Sequence, residues 1–216
     1  MKVIVFGATG MIGRGVLREC LLDDRVTGVL TVGRAPTGVV HGKLREIVHA
    51  DLMDLSPIEG DLSGYDACFF CLGVSSAGMS EKDYRRVTYD YTLSAGSTLA
   101  RLNPSSTFVY VSGAGTDEHG RAMWARVKGM TENALLALPF EAYLFRPGYI
   151  QPMHGVTSRT RWYRLAYVVT GPLYPLLRRL FPAQVTTTER IGQAMITVAE
   201  SGAPKRVLGP ADINAL

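Results

Sequence analysis

The chain is poor in cysteine: its 216 residues hold Cys20, Cys68 and Cys71 and no others. That is too few for a disulfide framework, so a reducing compartment is expected, and the cytoplasm is the simplest one. Cys68-Phe69-Phe70-Cys71 has the spacing of a redox motif. On a strand, however, residues three apart point to opposite faces, so buried strand cysteines are expected instead. Membrane-length apolar runs are also missing. Leu165 to Leu177 is uncharged over 13 residues, short of the roughly 20 that a span needs, and Gly171, Pro172 and Pro175 interrupt it. No secretory signal is expected, because Lys2 enters a strand-like run that Gly7 cuts short. Internal repeats and low-complexity segments are absent. The apolar content of 47% supports a full core, and the length suits one domain with a small appendage.

Charge is unevenly placed. The formal net charge is +4, but residues 1–145 carry a net −2 and residues 146–216 a net +6. A basic end suits nucleic acid, an anionic membrane or an anionic ligand. No nucleic-acid motif accompanies it, which leaves a phosphate-bearing small molecule as the simpler partner.

What is present begins at the N-terminus. Lys2-Val3-Ile4-Val5-Phe6 reads as a short buried strand. Gly7-Ala8-Thr9-Gly10-Met11-Ile12-Gly13 follows, and Ile12, Val16, Leu17 and Leu21 then recur at helical spacing. Strand, glycine turn and helix in that order form a dinucleotide-binding unit. Gly7 permits the turn, Gly10 lets backbone approach a pyrophosphate, and Gly13 packs helix on strand with the helix N-terminus toward the negative charge. The plainer alternative is a tight strand-to-helix turn without a ligand.

Strands are expected at Lys2–Phe6, Gly28–Val32, Leu44–His49, Ala67–Cys71, Thr107–Val111 and Ala142–Phe145. Helices are expected at Met11–Leu22, Glu81–Leu102, Ala122–Leu138 and Thr188–Glu200. This alternation predicts an α/β fold, a Rossmann-type doubly wound parallel sheet over residues 1–150 with a small C-terminal substrate lobe over 151–216. Ligands in such sheets lie outside the carboxyl ends of the strands. The residues just after each strand are therefore the candidates. Gly33-Arg34 follows the second strand, where an NAD enzyme usually carries Asp or Glu for the ribose 2′-hydroxyl. Arg34 instead suits a 2′-phosphate, through its planar fork, and favours NADP over NAD. Arg14 is a second candidate, and both arginines could equally be solvated. Asp51-Leu52 follows the third strand, with Asp51 toward adenine or capping its own turn. Leu72-Gly73-Val74-Ser75 follows the fourth and suits close passage to a ribose.

Together Gly7 to Gly13, Gly33-Arg34, Asp51-Leu52, Val87-Thr88-Tyr89-Asp90-Tyr91, Val111-Ser112, Val127-Lys128-Gly129 and Phe145-Arg146-Pro147-Gly148 carry a resemblance. The chain resembles the short-chain dehydrogenase/reductase superfamily in its atypical, epimerase/dehydratase-like branch, near the Tat-interacting, oxidoreductase-like group. Thr186 to Ala194 looks like the helix that closes the substrate side in nucleotide-sugar epimerases. The resemblance implies cofactor contacts at Gly7, Thr9, Gly10, Met11, Ile12, Gly13, Arg34, Asp51, Leu52, Leu72, Gly73, Lys128 and Pro147. It also implies a catalytic Ser–Tyr–Lys set, with Tyr four residues before Lys on one helix face. Ser112 would face the substrate, Lys128 would reach the nicotinamide ribose, and Asp90 would support the active-site backbone.

The sequence departs from that set at one position: Trp124 stands four residues before Lys128. A phenol with a pKa near ~10 can be tuned toward neutrality. An indole N–H donates a hydrogen bond but does not ionise usefully. Ordinary carbonyl–alcohol interconversion thus lacks its acid. Three routes remain. Hydride transfer to a quinone- or flavin-like acceptor needs no protein acid. Tyr149, or after it His154, could substitute. Or the chain is an NADP-binding regulator or assembly factor without turnover. Substrate choice is expected within Arg159–Phe181. The uncharged stretch there, flanked by arginines, reads either as an apolar lid over the cleft or as a contact surface for a subunit or an anionic membrane.

Overall fold

The computed structural model describes residues 1–155, 179 and 184–216. Seven strands form one parallel sheet in the order β3-β2-β1-β4-β5-β6-β9. These are β1 (Lys2–Phe6), β2 (Gly28–Gly33), β3 (Leu44–Val48), β4 (Ala67–Phe70), β5 (Thr107–Val111), β6 (Glu141–Phe145) and β9 (Val207–Leu208). Two short strands, β7 (Tyr149–Gln151) and β8 (Val185–Thr187), pair in parallel apart from it. The strand order reverses direction at β1, where the chain moves first to one side through β2 and β3 and then to the other through β4.

Both faces of the sheet are buried, and the two-residue period of a strand sorts the side chains between them. Val3, Val5, Phe69 and Val109 enter one apolar cluster, with α1 (Met11–Leu22) and α5 (Thr188–Ser201) over them. Ile4, Phe6, Cys68, Phe70, Phe108 and Tyr110 enter the other, under α3 (Tyr91–Leu102) and α4 (Met123–Leu136). Cys68 and Cys71 accordingly pack against opposite clusters, and burial raises the pKa of both thiols. This is the expectation for strand cysteines rather than a redox pair. Thr187 caps α5 by accepting from the Arg190 N–H at 2.9 Å.

The expected doubly wound architecture is present, with differences in detail. The expected single helix over Glu81–Leu102 is α2 (Glu81–Arg85), a π-helical turn (Arg86–Asp90) and α3. At the turn the Tyr91 N–H reaches the Arg86 carbonyl, five residues back. The Thr92 hydroxyl donates to the Thr88 carbonyl there at 2.7 Å, so a side chain competes with the helical ladder. Strands β7, β8 and β9 are two or three residues long and carry too little periodicity to be read from sequence. The 3₁₀ turn at Ser56–Asp61 and the short α6 (Pro210–Ala215) were likewise not expected.

Candidate functional site

The carboxyl ends of β1, β2 and β4 surround one cleft. It is lined by Gly7, Ala8, Thr9, Thr31, Val32, Gly33, Arg34, Ala35, Thr37, Leu52 and Leu72. Its floor is the glycine turn. Gly7 has φ +78°, in the left-handed region, and a Cβ there would stand 2.6 Å from the Leu72 nitrogen. A Cβ on Gly13 would meet the Gly7 carbonyl oxygen at 2.2 Å. The Gly10 N–H closes the turn onto that same oxygen at 2.9 Å. α1 begins without a side-chain cap and without an acidic residue in its first turn. Its leading N–H groups and positive dipole end therefore suit a phosphate.

Of the residues expected at a cofactor, Gly7, Thr9, Arg34, Leu52 and Leu72 line this cleft, and Gly10, Met11, Ile12 and Gly13 belong to the turn and the first turn of α1. Arg34 is exposed at the cleft wall, and no carboxylate-bearing residue is among the lining residues. Asp51 and Gly73 are exposed and outside the lining. The Asp51 carboxylate accepts from the Met53 N–H at 3.0 Å, the turn-capping alternative for this residue. Arg14 is exposed on α1.

The second group of residues gathers at the carboxyl ends of β5 and β6. Ser112 is 5% exposed. The Thr116 hydroxyl donates to the Gly113 carbonyl at 2.8 Å. A hydroxyl has one proton, so in the 2.9 Å contact between Ser112 and Thr116 the proton comes from Ser112. Lys128 donates to the Ser112 carbonyl at 2.7 Å and lies 5.8 Å from the centre of the Tyr110 ring. Burial lowers its pKa to about 8, against the opposing pull of Glu132. The indole of Trp124 sits over Gly115, 3.4 Å from where a Cβ would be. The Ala114 N–H donates to the Pro147 carbonyl at 3.0 Å, joining the loops after β5 and β6. Serine, tryptophan and lysine are thus brought together, each engaged with its neighbours.

Two residues of this corner were not expected as site residues. Glu132, whose side chain is 3% exposed, accepts from Arg146 in a forked ion pair, with Nε 3.0 and 3.2 Å from its two carboxylate oxygens. The pair ties α4 to the loop after β6 and raises the Arg146 pKa further. The available signal was the spacing: Glu132 follows Lys128 by four, on the same helix face. Tyr149, at the start of β7, donates to Gln151 at 2.9 Å. His154 has φ +55° and lies 3.1 Å from Glu189. Asp90 is 4.0 Å from Arg85. The stretch Arg159–Phe181, apart from Arg179, lies outside the described residues. A separate, wider groove at the amino ends of β5 and β6, lined by Thr107, Glu141, Tyr143 and Gly202 among others, holds none of the expected site residues.

A sheet that reverses at β1, with a glycine turn at that point, defines a Rossmann-type nucleotide-binding protein. The chain belongs to the NAD dependent epimerase/dehydratase family, whose model matches residues 3–122. It is 27% identical over 192 residues to the mitochondrial protein FMP52-1 of Scheffersomyces stipitis, covering 86% of this chain and 84% of that protein. It is 26% identical over 153 residues to the protein HTATIP2 of Rattus norvegicus, covering 69% and 62%. Among solved structures it is similar to the Bordetella bronchiseptica enzyme WbmF in complex with NAD+. The TM-score is 0.70 at 16% identity, over 99% of this chain and 76% of that one. It is likewise similar to a UDP-N-acetylglucosamine 4-epimerase of Methanobrevibacter ruminantium, with TM-score 0.71 at 16% identity over 96% and 75%. At such identities the structures establish the fold. Among the described residues, no helix is long and apolar enough to cross a membrane.

Proposed function

We propose that this chain is an NADP-dependent oxidoreductase acting on an apolar, quinone- or flavin-like acceptor. The observation that carries the reading is the corner around Lys128, where an indole stands in place of a phenol and lies against Gly115. When bound, a nicotinamide dinucleotide supplies or takes up a hydride. The glycine turn suits its pyrophosphate, because Gly7 and Gly13 let the turn pack directly on the backbone of Leu72 and of Gly7 itself, and α1 opens beside the cleft with no side-chain cap and no acidic residue in its first turn. Arg34, at a wall without carboxylates, would hold the 2′-phosphate.

The chemistry follows from what the chain's own residues offer. Trp124 has no proton to exchange at neutral pH. The Ser112 proton is directed to Thr116. Lys128 is held by the Ser112 carbonyl and keeps further N–H groups for a ribose. A quinone or flavin, once reduced, takes its protons from water and needs none from this set. Cys20, Cys68 and Cys71 are free thiols, which suits a reducing compartment.

Calorimetric titration of NADPH and NADH, on wild type and Arg34→Ala, with a quinone and a flavin assay on the same samples, tests the proposal. The expected result is a preference for NADPH that weakens about tenfold in Arg34→Ala, with acceptor-dependent oxidation of NADPH. Tight binding without turnover would instead indicate a nucleotide-binding regulator. No binding of either nucleotide would overturn both.

A further inference from the structure

Arg34 is a long, exposed side chain on a loop, and its affinity for a phosphate depends on how well that loop is held. A contact made by only a fraction of the conformers is weakened by that fraction. What holds the loop is on the neighbouring strand. Glu46 lies on β3, the outermost strand, in register with Thr31 of β2. Its Oε2 accepts from the Thr31 hydroxyl at 3.0 Å and from the Thr37 backbone N–H at 2.9 Å. Thr31 and Thr37 both line the cleft, with Gly33, Arg34 and Ala35 between them. One oxygen therefore joins the two ends of the segment that carries Arg34. Past Thr37 the loop runs into solvent, where Val40 is fully exposed.

The same bonds decide what Glu46 does not do. The carboxylate that ordinarily serves a ribose hydroxyl, and so selects the cofactor without a 2′-phosphate, follows the second strand, where this chain has Arg34; Glu46 is on β3 instead. Here the carboxylate is turned to donors inside the protein and is absent from the cleft lining. Partial burial pushes its pKa up, but the Thr37 N–H and the hydroxyls of Thr37 and Thr31 outweigh that, and the net shift is downward.

We propose that Glu46 is a positioning residue for cofactor choice: by clamping Thr31 to Thr37 it presents Arg34 to the 2′-phosphate and makes the cleft select NADP. The inference rests on the NADP reading above. It concerns geometry rather than charge, since a negative group near a phosphate would by itself repel it.

The test is calorimetric titration of NADPH and NADH on wild type, Glu46→Ala, Glu46→Gln and Thr31→Val, with far-ultraviolet circular dichroism as the check on folding. Glu46→Ala is expected to weaken NADPH about tenfold and NADH less than about twofold, because only NADPH uses Arg34. Glu46→Gln keeps an acceptor oxygen and is expected to retain wild-type NADPH affinity or exceed it. Thr31→Val is nearly isosteric, removes one of the two donors, and is expected to cost about threefold toward NADPH. Equal losses for both nucleotides in Glu46→Ala, or NADPH affinity unchanged in Glu46→Ala and Thr31→Val, would overturn the inference while leaving the NADP reading in place. A wild type that does not discriminate between the nucleotides would overturn the NADP reading and this inference with it.

Discussion

At the carboxyl ends of β1 and β2 the backbone leaves space and N–H groups facing a cleft, whereas at the ends of β5 and β6 the side chains engage one another. The first region is a turn of seven residues that closes on itself through Gly10 and Gly7. Three of its seven positions, Gly7, Gly10 and Gly13, carry no side chain. The second is held by long-range ties: Lys128 to the Ser112 carbonyl, Glu132 to Arg146, and the loop after β5 to the loop after β6. The difference teaches that a turn built by local glycines forms independently of what the neighbouring corner around Lys128 carries. The two depend on different parts of the chain.

That contrast can be broken at either end. Gly13→Ala should have the largest effect. A methyl group 2.2 Å from the Gly7 oxygen forces the turn apart, at a cost of about 3 kcal/mol. Urea unfolding would read this, and a loss under about 1 kcal/mol would mean that the turn yields easily. Glu132→Ala comes next. Breaking a buried ion pair costs up to about 5 kcal/mol. The Arg146 side chain here is 31% exposed and finds water, so about 2 kcal/mol is expected. A neutral result would show that the pair does not hold the corner.

Trp124→Tyr sharpens the comparison with little change in stability, within about 1 kcal/mol. Quinone reduction should persist within about twofold, since its protons come from water. Aldehyde or ketone reduction should rise above background if Lys128 can support the new phenol. Loss of quinone reduction in this variant would show that the indole itself contacts the acceptor.

A further effect is in the pH dependence. Lys128 titrates at about 8 in the folded chain, against 10.5 ordinarily, because burial disfavours its charge. Below about pH 8 it is charged in both states, and the folded chain carries the full desolvation cost. Between about 8 and 10.5 the unfolded chain binds more protons, so this group makes stability rise with pH. Stability measured for Lys128→Met minus wild type should therefore fall between pH 7 and about pH 10. A difference that stays constant would place the ammonium in water.

Much of this molecule was determined by sequence alone, wherever the physics is local. The sheet was legible because Val3, Ile4, Val5 and Phe6, or Phe108, Val109 and Tyr110, are short apolar runs rich in β-branched and aromatic residues, which suit strands buried on both faces. The cleft was legible because the constraints at Gly7, Gly10 and Gly13 lie within seven residues. Trp124 stood out because it lies one helical turn before Lys128. Tertiary structure alone decided the rest. Nothing near residue 46 indicates that its carboxylate will meet the N–H of Thr37. The partnership of Glu132 with Arg146 spans 14 residues, and the capture of Lys128 by the Ser112 carbonyl spans 16. β9 has two residues and exists because β6 offers an open edge at Leu144 and Phe145. Such contacts come from packing distant segments together, and a hydrogen bond or ion pair has no sequence period until the fold supplies its partner.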